Sequence, residues 1–266
     1  MRQDTDGGLR AFTESVVRTV APVAAAVKFQ SACYERHLSH GLDAMHAGIR
    51  LAHQLGLLVI LDAKRGDIGI SANHYAAAAV GLGADWVTVS PYLGLETVEP
   101  FLVAGLGTYV LVRTSNHGSD SLQCLPVGSG AAAATLALEV ARQVAQLGEG
   151  RCSSSGHSAV GAVVGATKSS ELAAFRSAMP AQPLLLPGIG AQGATVDDVA
   201  DAFRPGTAGA LATSSRAIIF AAPNHGETWD EAVHRAAAAT AAELRRFHVP
   251  SPHHQPFTSF PCGGCR

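Results

Sequence analysis

Four charged residues lie at the ends of two neighbouring apolar runs of the sequence. Asp62 and Lys64 follow one run directly, Asp67 comes three residues later, and Lys28 stands near the end of the preceding run. Residues two apart on a strand project to the same side, so Asp62 and Lys64 are expected to face together. An ion-paired cluster without a chemical task is the alternative. Because gathered charges are unfavourable unless each is paired, the set favours a catalytic ion array.

A glycine-rich segment and an arginine form the second candidate site. The segment PGIGAQG, residues 187–193, follows an apolar run and precedes a predicted helix near residue 195. Glycines there let backbone N–H groups approach an anion, and a helix N-terminus adds favourable potential. Ser214-Ser215-Arg216 follows the last apolar run, where Arg216 can hold phosphate oxygens in bidentate fashion. Together the two segments predict a phosphate site, although either one alone would more often be an ordinary turn.

The elements that must position these residues follow from the apolar pattern. Near-continuous apolar runs are typical of parallel strands that are covered on both faces. Strands are predicted at 23–29, 57–63, 86–90, 108–114, 159–165, 184–189 and 208–213. Helices are predicted between them, among them 8–20 and 34–55, the latter with Gly56 at its C-terminal cap. Thr228 and Glu231 are typical of a capping box at the start of the last helix.

This alternation predicts an α/β fold, a TIM-type (β/α)8 barrel, with residues 1–248 as one domain. Such barrels place their chemistry at the carboxyl ends of the strands. Only seven strands are counted and residues 1–7 cannot supply another, so the N-terminal strand is expected to be missing. Segments 115–130 and 148–158 are predicted loops, and residues 249–266 are a predicted disordered tail.

Composition excludes several classes of protein. With 19 Lys+Arg against 21 Asp+Glu, the chain has no basic excess that would favour nucleic acid or an anionic membrane. It has no apolar run near the ~20 residues of a membrane span and no signal peptide at its polar start, so the cytoplasm is expected. Five cysteines do not indicate a disulfide framework. Cys262 and Cys265 could form a redox or metal pair, but no second ligand pair accompanies them and they lie in the predicted tail. His253-His254 lacks metal-ligand spacing, and no metal is expected.

The same segments resemble the orotidine 5′-phosphate decarboxylase family, within the ribulose-phosphate-binding barrel superfamily. Asp62-x-Lys64-x-x-Asp67, with Lys28 one strand earlier, is similar to the catalytic tetrad of that family. DAKRGDI resembles the form found in its second bacterial subgroup. The likeness runs from about residue 8 to 220 and includes SPYLG at 90–94, TSN at 114–116, PGIGAQG at 187–193 and SSR at 214–216.

The resemblance implies decarboxylation of orotidine 5′-monophosphate to UMP, without a cofactor or metal. It implies that Lys64 stabilises and protonates the C6 carbanion, supported by Lys28, Asp62 and Asp67. The substrate contacts that it implies are Ile68, Ser71, Ser115, Gly190, Gln192, Gly193, Ser215 and Arg216. It also implies a homodimer with shared active sites, in which Asp67 and residues 68–71 reach the neighbouring subunit. Members of the family begin with a strand ending in a Gly-x-Asp-Pro-like segment, whereas this chain starts in the helix that follows.

Three alternatives remain open at this point. A magnesium-dependent sugar-phosphate lyase or decarboxylase of the same superfamily shares Asp-x-Lys-x-x-Asp, but usually needs a further carboxylate that AAAVKFQ does not offer. A truncated, catalytically impaired barrel could serve as a protein–protein module. A Schiff-base aldolase using Lys64 is the least favoured, because two carboxylates would keep that lysine protonated and unable to attack a carbonyl.

Overall fold

One parallel sheet organises the chain, of which the computed structural model describes residues 7–129, 133–154, 156–203 and 209–247. Its strands are β1 (Ala26–Gln30), β2 (Leu58–Arg65), β3 (Trp86–Val89), β4 (Gly107–Arg113), β7 (Val160–Val164), β8 (Leu184–Pro187) and β9 (Ala210–Thr213), paired in that order. Two short strands, β5 (Pro126–Val127) and β6 (Ala134–Thr135), form a separate antiparallel pair. All seven predicted strands of the sheet are confirmed.

Helices alternate with these strands. They are α1 (Gly8–Val20), α2 (Ser31–Glu35), α3 (Leu38–Gln54), α4 (Gly69–Leu82), α5 (Glu99–Val103), α6 (Asp120–Gln123), α7 (Leu136–Leu147), α8 (Ser169–Ala178), α9 (Arg216–Ile219) and α10 (Trp229–Leu244). Short 3-10 segments occur at Leu95–Val98, His117–Ser119, Ala166–Lys168, Asp197–Phe203 and Arg245–Phe247. Within the described ranges, no helix is long and apolar enough to cross a membrane. The seven strands curl into a nearly closed TIM-type barrel, as predicted.

The central strands bury both of their faces. Val59 and Leu61 of β2 pack into the large core between sheet and helices, whereas Ile60 between them points to the opposite side. That inner side is filled by one residue from each of five consecutive strands, Ile60, Trp86, Tyr109, Val163 and Leu185. This double burial is the physical reason that the strands lack polar alternation in the sequence.

The first and last helices pack together beside the two edges of the sheet. Among the described residues, no strand pairs with the outer edge of β1 or of β9. Val20 of α1 contacts a cluster that contains Val233 and Ala237 of α10. The Ser15 hydroxyl also donates a 2.9 Å hydrogen bond to Asp230. The expected number of seven strands is therefore confirmed, and the contact between α1 and α10 joins the two ends of the described fold.

Two sequence predictions need correction. The helix predicted at 34–55 is interrupted, because Leu38 adopts a φ of 54° that a right-handed helix cannot accommodate. The segment 115–130, predicted as loop, contains a 3-10 turn, α6 and β5. Side-chain bonds stabilise these pieces, such as the 2.9 Å bond from Thr114 N to the Gln123 side chain, and such bonds leave no apolar period in the sequence. The predicted tail, residues 249–266, lies outside the described residues.

A buried arginine ties the end of α8 to the two segments that follow. Arg176 is 4% exposed, and its guanidinium donates to the carbonyl oxygens of Ala202, Met179 and Gln182 at 3.0, 2.7 and 3.0 Å. Burial lowers the pKa of Arg176 to about 10. The three carbonyl groups therefore depend on this one side chain for their hydrogen bonds.

We expect Arg176→Met to destabilise the protein by about 3 kcal/mol, because buried carbonyl groups lose their donor. The corresponding loss in melting temperature is roughly 6–12 °C for a chain of this size. Thermal unfolding followed by circular dichroism measures it. Arg142→Met, which removes an exposed arginine on α7, is the matched control and should change the melting temperature little. Equal melting temperatures for the two variants would contradict this role of Arg176.

Candidate active site

The residues predicted to do chemistry lie at or just beyond the carboxyl ends of the strands. All seven strands run parallel, so their carboxyl ends meet on the same side of the barrel. Lys28 lies in β1 and Asp62 and Lys64 in β2, while Ser71 lies in the first turn of α4. Ser115 follows β4. Gly190, Gln192 and Gly193 follow β8, and Ser215 and Arg216 follow β9.

The structure brings Lys28, Asp62 and Lys64 into direct contact. The Lys28 ammonium donates to Asp62 Oδ2 at 2.6 Å, and the Lys64 ammonium donates to Asp62 Oδ1 at 2.5 Å. The Asp62 side chain is 9% exposed, whereas that of Lys64 is 44% exposed. One buried carboxylate therefore holds two ammonium groups, and the Lys64 ammonium remains accessible to a ligand.

The carboxylate at the centre of this array stays ionised. Burial by itself would raise the pKa of Asp62, but the charges and hydrogen bonds of Lys28 and Lys64 outweigh it and hold this pKa below its usual value. The array can therefore present a cation to negative charge on a bound substrate.

A threonine that the sequence analysis did not select completes the array. Thr88 of β3 is buried, and its hydroxyl donates to Asp62 Oδ1 at 3.0 Å and accepts from Lys64 N at 2.9 Å. Its signal in the sequence is a polar residue inside the otherwise apolar predicted strand 86–90. That signal does not reveal which residues the hydroxyl meets.

Asp67 does not join the array of its own chain. Its carboxylate accepts a 2.9 Å hydrogen bond from Ile68 N, and within the described part of the chain it forms no ion pair with Lys64. Just before this loop, Arg65 donates to Glu35 at 2.6 Å, and its guanidinium lies over the Tyr75 ring. Asp67 therefore lies in the loop that follows β2 and outside the array of its own chain.

The glycine-rich segment after β8 makes a tight turn. Gly188, Gly190 and Gly193 have φ values of 119°, 77° and 92°, which side chains rarely adopt. Gly190 N bonds to Ala194 O, and Gly193 N bonds back to Gly190 O, both at 2.8 Å. The α-helix predicted near residue 195 is wrong, because a 3-10 segment begins at Asp197 instead.

The turn after β8 touches the segment after β9. The Ser214 hydroxyl donates to Ile189 O at 3.3 Å. A Cβ atom on Gly190 would lie 2.9 Å from that of Ala217, so this close approach requires glycine. Arg216 is exposed beside the turn and has no ion pair in the part of the chain that the structure describes. The two segments can together receive an anionic group.

Ser115 lies in a segment that the hydrogen bonds of Arg113 hold in place. Buried Arg113 donates to both oxygens of Glu171, at 3.0–3.1 Å from Nε, and to Asp120 at 2.7 Å. The hydrogen bonds to Glu171, followed by those to Asp120, raise the pKa of Arg113 above its ordinary value. A Cβ on Gly165 of the next strand's loop would lie 2.9 Å from the Ser115 backbone, so the two loops are in close contact.

These features define a class of protein: a TIM-type barrel enzyme with a Lys–Asp–Lys array, and with an exposed arginine beside a glycine turn, at the carboxyl ends of its strands. Residues 10–232 match the model of the orotidine 5′-phosphate decarboxylase / HUMPS family, and the chain belongs to this family.

Curated relatives carry the same name. Orotidine 5′-phosphate decarboxylase of Rhodopirellula baltica is 41% identical over 222 residues, which cover 79% of this chain and 72% of the relative. That of Deinococcus radiodurans is 43% identical over 220 residues, which cover 80% of this chain and 78% of the relative.

Solved structures agree in fold. OMP decarboxylase of Leishmania donovani superposes with a TM-score of 0.77 at 32% identity, covering 92% of this chain and 90% of that one. UMP synthase of the same organism gives a TM-score of 0.80 at 33% identity, covering 93% of this chain and 52% of that larger chain.

Proposed function

We propose that this protein decarboxylates orotidine 5′-monophosphate to UMP, with Lys64 as the residue that protonates C6. The observation that carries the proposal is the contact of two ammonium groups with buried Asp62, in a chain that belongs to the decarboxylase family. The reaction requires no cofactor in this proposal. Its product places the protein in the synthesis of pyrimidine nucleotides, with the cytoplasm as its location.

The positive charge of the array suits a reaction whose barrier comes from the formation of a localised negative charge. Loss of CO₂ from C6 leaves an sp² carbanion without a π system to delocalise it, so stabilisation must be electrostatic and preorganised. Unit charges about 4 Å apart attract by about 4 kcal/mol at an effective dielectric of 20. The Lys64 ammonium is accessible enough to lie beside C6 and then deliver its proton. Asp62 faces the departing carboxylate in this scheme, and Lys28 orients Asp62.

Binding of the remaining parts of the nucleotide is assigned to the loops around the array. Arg216 and Gln192 hold the phosphate, with backbone groups of Gly190, Gly193 and Ser215 around it. The exposed Arg216 side chain and the tight turn beside it support this assignment. Ser115 contacts the pyrimidine ring. Binding energy from the phosphate, remote from C6, then supports the chemical step.

The active enzyme is proposed to be a homodimer with shared sites. Beside the array, Ile68 and Ile70 are 62% and 76% exposed, and Tyr92 on the next loop is 78% exposed. The two loops touch, since a Cβ on Gly66 would lie 3.1 Å from Ser90. Exposed apolar side chains of this size favour burial against another chain. A second copy would cover them, and its Asp67, with Ile68 and Ser71, would complete the site that Asp67 leaves open in its own chain.

Lys64→Ala tests the central role directly. We expect the protein to turn over orotidine 5′-monophosphate, and the variant to lose about a thousandfold or more in kcat, equivalent to ~4 kcal/mol of barrier. UMP affinity, measured by calorimetry, should change little because Lys64 acts mainly on the transition state. Lys168→Ala, at the same edge but outside the array, should lose less than tenfold. Retention of turnover within about tenfold by Lys64→Ala would exclude Lys64 as the proton donor.

The phosphate assignment predicts a difference between nucleotide and nucleoside. Arg216→Ala should raise KM for the nucleotide by about tenfold to a hundredfold, and should also lower kcat, because phosphate binding energy supports the reacting centre. Orotidine without its phosphate should react equally slowly with both proteins. Steady-state kinetics on the two substrates measure this difference. Equal losses on both substrates would mean that Arg216 has a structural role instead.

Shared sites predict complementation between two inactive variants. Lys64→Ala and Asp67→Ala homodimers, mixed and allowed to exchange subunits, should regain about a quarter of wild-type activity, because half of the dimers then contain one intact site of two. The control mixes Lys64→Ala with the double variant Lys64→Ala/Asp67→Ala. This mixture should regain no activity, because no site then contains Lys64. Light scattering measures the mass. A monomer, or no recovery despite proven exchange, would contradict the shared site.

A further inference from the structure

Strand β2 has an irregular pairing with β3 at the residues Asp62 to Lys64. Pairing between β2 and β3 joins Leu61 to Val87 and then resumes with Arg65 and Val89. Three residues of β2, Asp62 to Lys64, therefore stand opposite the single residue Thr88 of β3. An irregularity of this kind re-aims side chains, and it leaves backbone groups without their usual partners across the ladder.

Lys64 has a backbone conformation that needs support. Its φ of 48° lies in the left-handed region, which is unfavourable for a non-glycine residue and persists only when the surrounding structure imposes it. Lys64 N, which lies in the bulge, donates to the Thr88 hydroxyl at 2.9 Å. Thr88 thus supplies an acceptor at the strained residue.

The same hydroxyl also orients the carboxylate. The Thr88 hydroxyl donates a 3.0 Å hydrogen bond to Asp62 Oδ1, the same oxygen that the Lys64 ammonium contacts. Oδ2 is taken by the Lys28 ammonium at 2.6 Å. Both oxygens of Asp62 are therefore engaged, and the single donor and the acceptor of Thr88 are both used on the array. Replacement by valine would keep the shape of this side chain and remove both bonds.

We propose that Thr88 is a positioning residue for the decarboxylation. It holds the bulge and the Asp62 carboxylate so that the Lys64 ammonium points to the reacting carbon. The inference rests on the proposed function of Lys64, but the placement of the Lys64 amide can be measured without any substrate. A hydroxyl in this position is required, so serine can replace threonine and valine cannot.

The test compares Thr88→Val and Thr88→Ser with Thr108→Val. Thr108 is buried on β4, and its hydroxyl has no hydrogen-bond partner among the residues that the structure describes, so it is a matched control for the loss of a buried hydroxyl. We expect Thr88→Val to lower kcat by about tenfold to a hundredfold with UMP affinity nearly unchanged. Thr88→Ser and Thr108→Val should stay within about threefold of wild type in kcat.

Amide hydrogen exchange of the ligand-free protein supplies the second readout. In Thr88→Val, the Lys64 amide should exchange at least about tenfold faster, whereas the Leu61 amide should not change. Unchanged kcat in Thr88→Val, or lower kcat with unchanged Lys64 exchange, would overturn the proposal. An equal loss of kcat in Thr88→Ser would overturn it as well. Absence of turnover in the wild-type protein would instead refute the proposed function, and the exchange experiment would still decide the role of Thr88.

Discussion

A single buried carboxylate governs the chemistry of this barrel. Asp62 is withdrawn from water, a position in which a lone carboxyl would take up a proton. The ammonium groups of Lys28 and Lys64 reverse that tendency and keep its pKa low. Asp62 is the member on which the other two depend, since its removal would leave both ammonium groups without their counter-charge. Preorganisation of this kind is suited to stabilising a negative charge that forms only during a reaction.

The rest of the fold serves to bring distant segments to that carboxylate. Parallel strands direct their carboxyl ends to one edge, while apolar residues such as Ile60 and Trp86 fill the barrel behind it. The loops at this edge have their own supports. Arg113 braces the segment with Ser115, and the turn at Gly190 is packed against Ala217. The residues that pack the barrel interior are thus different from the residues of the candidate site, although both belong to the same strands. The loops can therefore vary in sequence without disturbing the core.

Much of this arrangement could be predicted before the structure. The strands were predictable because they are buried on both faces, and Thr228 with Glu231 was predictable as a capping box because its signal is local; both of its bonds are formed. The break at Leu38 was not predictable, since the apolar period continues through it. The pieces within 115–130 were missed as well, because side-chain bonds such as those of Gln123 leave no periodic pattern.

The position of Lys28, Asp62 and Lys64 at the ends of adjacent strands could be predicted from the sequence, because strand patterns and the spacing of two residues are local properties. How these side chains contact one another depends on the packing of the whole sheet. The bulge opposite Thr88 and the left-handed conformation of Lys64 both depend on contacts between strands. Partners 24 or more residues apart make those contacts, and their register follows from packing of the whole sheet rather than from any local pattern.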